Sequence, residues 1–416
     1  MDKSDRIRHV LSRGQKAFGI WLAISLLVSG LWPVPGGAVL ASEGTDAYVM
    51  TDSLTGWPKG PDISAGGAVL MDAKTGAVLY AKNEDTAFYP ASITKILTAL
   101  VCCERLDMAD QLVMSEAAAY GIEAGSSSIY ADTGERFTVE QAMMALMLES
   151  ANEIALGLGE KVSGNTKKFT ELMNARARAI GCTHSHFNNP HGLTDPNHYV
   201  TAMDMALISR AAWRNSLFQH FTTTGYFELL PTNIMKETRY FLNHHAMMEG
   251  RDYAYNGVLG GKTGYTDEAG NTLVTYARRG NVTLIAVVLS CPGTHYSDTK
   301  ALLDYGFENF RRQNLLYRTR DRVTFLPNQA YILSDVQAFE YQGSLQVMLP
   351  TGVSRNRVER KRTTLKNTPG RMPCVLSEFT YEGNYVGYAI QYEKDIGASL
   401  LRPKAHATYD IFKYQP

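Results

Sequence analysis

Tyr89-Pro90-Ala91-Ser92-Ile93-Thr94-Lys95-Ile96-Leu97-Thr98-Ala99-Leu100-Val101 is the stretch on which the reading of this chain turns. The proline gives an extended entry, and nothing from Ser92 to Val101 breaks a helix. Helix residues three apart share a face, so Ser92 and Lys95 point together. A serine hydroxyl is a weak nucleophile until a base stands within hydrogen-bond reach. In a first turn, Ser92 also has free backbone N–H groups beside it that favour developing negative charge. Lys95 serves as base only when neutral. Bringing a lysine from about 10.4 to a working value near 7 corresponds to roughly 4.6 kcal/mol. Burial and a second nearby cation would supply that, since both disfavour the ammonium form.

Two triplets further along complete the pattern. Ser150-Ala151-Asn152 follows the apolar helical stretch Gln141 to Glu149, which predicts a turn at a buried helix end with Ser150 and Asn152 projecting two apart. The same residues would also serve as a plain N-cap for Glu153-Ile154-Ala155-Leu156. Lys262-Thr263-Gly264 precedes two predicted strands, Asn271 to Tyr276 and Val282 to Leu289, joined across Arg278-Arg279-Gly280-Asn281. Gly264 would let a ligand backbone approach the strand edge, and Lys262 is the second cation near Lys95. In this order the three motifs describe a nucleophile, its base, a second hydroxyl to relay protons, and a cationic strand to hold a carboxylate. They are the motif set of penicillin-binding proteins and serine β-lactamases.

Longer stretches sharpen the resemblance. Ala68 to Tyr80, Tyr89 to Lys95, Phe187-Asn188-Asn189-Pro190-His191-Gly192-Leu193, His198 to Leu207, and Lys262 to Gly270 all fit one family. The chain resembles the serine-type D-Ala-D-Ala carboxypeptidases, the low-molecular-weight penicillin-binding proteins, over roughly residues 57 to 315. The resemblance implies that Ser92 is acylated, Lys95 is the base, Ser150 relays a proton and Asn152 bonds the substrate backbone. Lys262 and Thr263, with Gly264 in the same motif, would hold the terminal D-alanine carboxylate. The oxyanion hole would be the backbone N–H groups of Ser92 and Tyr265. The implied substrates are peptidoglycan stem peptides, with β-lactam antibiotics as covalent inhibitors. No cofactor and no metal are expected. Many members carry an arginine after the last long strand. Here that loop reads Cys291-Pro292-Gly293-Thr294-His295-Tyr296-Ser297-Asp298, which leaves carboxylate recognition to Lys262 and Thr263, or to His295.

The expected fold is an α/β (α+β) domain, an antiparallel sheet of five strands flanked by helices, with Ser92 on a helix at the sheet edge. It spans 65–315, opens with a hairpin around Asp72 to Gly76, and closes with a helix near Asp298 to Arg312. An approach segment, 42–64, precedes it. From Leu316 short apolar pieces (Arg322 to Phe325, Leu345 to Leu349, Tyr385 to Ile390) alternate with turns, which predicts a small all-β domain over 316–416.

Charge and composition place the chain outside the cytoplasm. Lys3, Arg6, Arg8, Arg13 and Lys16 precede an apolar run from Ala17 to Leu31 and small residues at Ala38 to Ala41, the pattern of a secretory signal over 1–41. A retained membrane anchor is the other reading of that segment. Removing it takes five of 41 basic and two of 41 acidic residues, leaving 36 against 39 and nothing to attract nucleic acid. The five cysteines, two of them adjacent at Cys102 and Cys103, make no disulfide framework. A basic run (Arg355, Arg357, Arg360, Lys361, Arg362, Lys366) is a solvated strand face, or a peripheral contact for wall polymer or the outer face of the cytoplasmic membrane. The closing segment Tyr409 to Pro416 has no amphipathic helix pattern. His184, His186, His244 and His245 suit surface or loop roles, and His191 and His198 shape the loop they occupy. Glu171 falls on the polar side of an amphipathic helix, and the loop Asn189 to His198 holds Asp195 but no glutamate. That argues against a class A β-lactamase, which needs a glutamate to activate water. The alternatives are a β-lactamase and a catalytically silent wall-binding protein of the same fold.

Overall fold

The computed structural model describes residues 49–315, 331–334, 337–342, 346–365 and 374–394. The signal-like segment 1–41, the strand expected at Arg322 to Phe325, Lys366 and the closing residues Tyr409 to Pro416 lie outside them, as does the Arg362 side chain.

Five antiparallel strands form the main sheet: β1 (Gly67–Asp72), β2 (Val78–Lys82), β3 (Val258–Thr266), β4 (Gly270–Arg279) and β5 (Val282–Cys291), in the order β2-β1-β5-β4-β3. The β4–β5 hairpin turns at Gly280-Asn281, inside the connection expected from sequence. Both faces of the sheet are covered, which is why its central strands are near-continuous apolar runs. Val69, Met71, Val274, Tyr276, Ile285, Val287 and Leu289 face one core, and Leu70, Leu273, Ala277, Leu284, Ala286 and Val288 the other. Alternation along each strand divides them between the two faces.

The first core is shared with the helices α1 (Lys95–Arg105), α2 (Val139–Leu148), α3 (Asn152–Ser163), α4 (Thr166–Ile180) and α5 (Ala202–Trp213). Helix α1 is buried from Lys95 through Cys103, as a helix apolar on nearly every side must be. A capping box starts α2: Thr138 accepts from Gln141 N, and Gln141 reaches back to Thr138 N. The second core lies under α6 (His295–Asn309), through Leu302 and Leu303.

The closing helix expected over Asp298 to Arg312 is shifted. It starts at His295 and ends at Asn309, and Phe310–Asn314 is a strand paired with Gln346–Pro350. Tertiary pairing decides this. Phe310 is buried against Trp57 and Tyr305, and Arg312 reaches back to the buried Asp72 carboxylate at 2.5 Å. A second antiparallel sheet follows, in the order Tyr331–Ser334, Gln337–Gln342, Asn384–Lys394, Cys374–Tyr381, Glu359–Leu365. It meets the main body through Tyr381, whose hydroxyl donates to Thr55 O (2.6 Å) and whose ring stacks on Trp57, and through Asn384 Nδ2 on Val78 O (3.0 Å). The basic run belongs partly to this internal structure. Arg355 donates to Asn314 O, Arg357 pairs with Glu382, and Arg360 donates to Ser377 Oγ. No helix among the described residues is long and apolar enough to cross a membrane.

Candidate active site

Ser92 lies in a single 3-10 turn, Ala91–Thr94, and the α-helix proper starts only at Lys95. The expected first turn is therefore tighter than an α-helix, with Ala91 in the left-handed region at φ 49°. The cause is the loop carrying Pro190-His191-Gly192, which packs directly on this turn. A Cβ on Gly192 (φ +96°) would fall 1.9 Å from Ala91 O, so only glycine fits there. Thr98 Oγ1 donates to Pro190 O (2.6 Å), and Thr94 Oγ1 meets His198 Nε2 at 2.9 Å. Burial pushes both His191 and His198 down to about 3, so their rings are neutral at physiological pH.

Lys95 is fully buried, with Nζ at the centre of three contacts: Ser92 Oγ at 3.0 Å, Asn152 Oδ1 at 2.6 Å and the backbone oxygen of His191 at 2.7 Å. Its pKa is held well below the ordinary lysine value, first by burial and then by the Lys262 charge, with Glu153 working in the opposite sense. Both causes invoked from sequence are present.

The second motif forms the junction between α2 and α3. Ser150 adopts φ 60° there, and Asn152 N is fixed by Ser127 O at 2.9 Å. Ser150 Oγ is buried without a hydrogen-bond partner among the described residues. An orphaned buried hydroxyl costs about 1–3 kcal/mol and calls for a chemical reason.

The third motif lies on β3, which among the described residues is an edge strand paired in the sheet with β4. Lys262 is buried, its Nζ donating to Thr263 O at 3.0 Å, and burial lowers its pKa to about 7, against the raising effect of Glu149. Gly264 leaves room for a close approach within the protein itself. A Cβ would lie 2.8 Å from Ser92 N and 2.5 Å from Thr272 Oγ1. The protein's own serine turn approaches this glycine. Thr272 Oγ1 on β4 donates to Pro90 O (2.8 Å) and fastens the same turn from the strand side. Exposed Tyr265 follows, its hydroxyl donating to Asp267 (2.9 Å).

All three motifs thus converge on one turn. Sequence reasoning missed several of the groups around it. Glu149 and Glu153 bracket the second motif, one acting on each lysine. Glu153 Oε1 accepts from Ser128 Oγ, Ile129 N and Ala131 N, fixing the neighbouring loop. Two carboxylates within an otherwise apolar helical stretch were the available signal. His245, given a surface or loop role, is fully buried and meets Thr275 Oγ1 at 2.8 Å. The carbonyl of His191 carried no side-chain signal at all. His295 opens α6 against the Tyr296 ring, and no hydrogen bond joins it to Lys262 or Thr263 among the described residues. Glu171 is exposed on α4. Asp195 is engaged by Asn188 Nδ2 and Asn197 N. No cluster of metal-ligand type occurs among the described residues.

Antiparallel sheet, flanking helices and a half-buried serine paired with a buried lysine at the edge strand define the penicillin-binding-protein class. Comparison with known proteins narrows this. The family model for D-alanyl-D-alanine carboxypeptidases matches residues 55–293, and the chain belongs to that family. It is 35% identical over 260 residues to the D-alanyl-D-alanine carboxypeptidase DacF of Bacillus subtilis, covering 61% of this chain and 64% of that one. With DacA of Haemophilus influenzae it shares 32% identity over 261 residues, 60% of this chain and 63% of the relative. The match therefore spans just under two thirds of the length of these two relatives. Among solved structures, penicillin binding protein 5 from Haemophilus influenzae superposes with a TM-score of 0.63 at 27% identity, covering 81% of this chain and 98% of that one. Penicillin binding protein 6B from Escherichia coli gives 0.60 at 26% identity, over 80% and 97%.

Proposed function

We propose that this chain hydrolyses the terminal D-Ala-D-Ala bond of peptidoglycan stem peptides through an acyl-enzyme on Ser92. The observation that carries the reading is the setting of Lys95 Nζ. The Asn152 and His191 oxygens at 2.6 and 2.7 Å can only accept, so they take two amine protons. A neutral amine then turns its lone pair to Ser92 Oγ, 3.0 Å away, and the serine hydroxyl donates to it. Ser92 Oγ attacks the carbonyl carbon of the penultimate D-alanine as its proton passes to Lys95. The oxyanion forms at the N–H groups of Ser92 and Tyr265. The C–N bond breaks, the proton reaches the leaving amine by way of Ser150, and D-alanine departs. Water then attacks the ester with Lys95 again as base, releasing the shortened stem and restoring Ser92.

Asn152, besides accepting from Lys95, would bond the substrate backbone. Lys262 and Thr263 would hold the terminal carboxylate, and Gly264 would keep their strand against the serine turn. The same reading divides the chain near residue 315 into a serine-bearing domain and a C-terminal β domain. It also places the enzyme on the outer side of the cytoplasmic membrane after secretion, where its polymer lies.

Purified protein should release D-alanine from a diacetyl-Lys-D-Ala-D-Ala peptide, and Ser92→Ala should abolish release. Benzylpenicillin should leave a long-lived adduct on Ser92 in intact-mass spectra, because Glu171 faces solvent and Asp195 is held within its loop. Fast turnover of penicillin without an adduct would favour a β-lactamase. No adduct and no D-alanine release would favour a silent wall-binding protein.

A further inference from the structure

Glu149 caps α2 immediately before Ser150. Its two carboxylate oxygens reach across to the segment that leads into β3. Leu242 N donates to Oε1 at 2.6 Å, and His244 Nε2 lies 3.4 Å from Oε2. That segment is rigid further along. Asn243 Nδ2 donates to Thr224 O (3.0 Å), Asn243 Oδ1 accepts from His245 N (3.0 Å), and the His245 ring is bonded to Thr275 on β4. His245 in turn packs against β3, where a Cβ on Gly261 would lie 2.8 Å from its Cδ2. Gly261 precedes Lys262. A continuous chain of contacts therefore runs from the second motif, through Glu149 and the Leu242–His245 segment, to the lysine of the third.

We propose that Glu149 is a positioning residue for carboxylate recognition: it ties the Leu242–His245 segment to the Ser150 turn and sets a fixed negative charge at the far end of the contacts that reach Lys262. The proposal rests on the reading that Lys262 holds the substrate carboxylate. The charges around Lys262 come from three sides. Glu149 favours its ammonium form from the end of α2. Lys95 on α1 is held well below the ordinary lysine value and acts as a neutral base, and His245 beneath β3 is pushed down to about 3 by burial and is therefore neutral. Glu149 itself faces His244 and Lys262. Burial works to raise its pKa, but the His244 and Leu242 hydrogen bonds and those two charges outweigh it, so the carboxyl is ionised below the ordinary range. Burial of Lys262 with no such partner would favour the neutral amine, which cannot bind an anion as a charge.

The test measures binding without turnover. In a Ser92→Ala background, calorimetry gives the dissociation constant of diacetyl-Lys-D-Ala-D-Ala from about pH 5.5 to 8.5, a range spanning the shifted lysine. Glu149→Gln keeps an oxygen to accept from Leu242 N and removes the charge, together with the second oxygen that faces His244. It should weaken binding by about tenfold at neutral pH, with the loss closing toward acid pH, where Lys262 regains its proton. Glu149→Ala removes tie and charge together and should weaken binding at every pH. Its thermal unfolding is followed in parallel, and the near-isosteric Gln variant decides the matter if the Ala variant fails to fold. A Gln variant that matches the Ser92→Ala protein at all pH values, or is weakened equally at all of them, overturns the proposal. Equal binding of the C-terminal amide of the peptide by the Ser92→Ala protein would overturn the carboxylate reading of Lys262, and the proposal with it.

Discussion

The cleft has two walls, each carrying one buried lysine, and the two lysines are treated differently. On the helical wall Lys95 Nζ is held by three oxygens. On the strand wall Lys262 Nζ has a single described hydrogen bond, to the carbonyl of the next residue. An ammonium group has three donors, so Lys262 retains hydrogen-bonding capacity for a ligand, whereas Lys95 has none to spare. Burial drives both pKa values down, yet the local acids differ. Glu149 acts on Lys262 from the side of the second motif, while Lys95 feels Lys262 itself as an added cation. Under the proposed function, the same residue type serves proton transfer on one wall and is left open for anion binding on the other.

The largest expected effect comes from breaking the helical wall. Lys95→Met should lower kcat by on the order of 10³ or more, because the base that activates Ser92 is removed. Lys95→Arg should be no better, since a guanidinium stays protonated and has no lone pair to offer. D-alanine release and the rate of penicilloyl adduct formation measure both. A Lys95→Met enzyme that retains near-normal acylation would show that the walls do not divide the labour in this way.

A smaller loss should follow from prising the walls apart. Gly264→Ala inserts a Cβ 2.8 Å from Ser92 N and 2.5 Å from Thr272 Oγ1. One of the two surfaces must shift, and misplacement by about 1 Å can cost around a hundredfold. The loss should appear in kcat/KM for peptide and in penicillin acylation alike, with the fold preserved by circular dichroism. Unchanged kinetics would mean that the close approach of β3 to the serine turn is not needed for chemistry.

The smallest effect is the pH profile, and it separates the two lysines. The ammonium form of Lys262 is populated below its depressed value of about 7 and lost as pH rises through it. Peptide kcat/KM should therefore fall by a few-fold to tenfold over the pH unit above about 7, where an anion-binding charge disappears. Lys95 must be neutral to act, and burial holds its pKa well below the ordinary lysine value, so its limb is a loss of activity as pH falls through that titration. The alkaline limb should vanish from kcat measured at saturating peptide, because a bound carboxylate holds the proton on Lys262. An alkaline limb of equal size in kcat would assign that titration to a group other than the carboxylate holder.

Much of this molecule was legible along the chain. Ser92 and Lys95 are three residues apart, and one helical turn, tightened here to 3-10, puts them on a shared face 3.0 Å apart. The strands β4 and β5 announced themselves as apolar runs around Gly280-Asn281 because both sheet faces are buried. What the sequence by itself determined were these short-range pairings and the identities of the three motifs. Only tertiary structure decided how the motifs meet: Asn152, 57 residues from Lys95, and the His191 carbonyl, 96 residues away, complete the lysine's environment. It also decided that Phe310–Asn314 leaves the helix for a strand, that Gly264 accommodates the serine turn, and that His245 is buried behind Lys262. The physical reason is common to all of these. A backbone carbonyl has no signature in side-chain identity, and a close approach, a desolvated charge or a strand pairing depends on distant residues that local propensity does not sense.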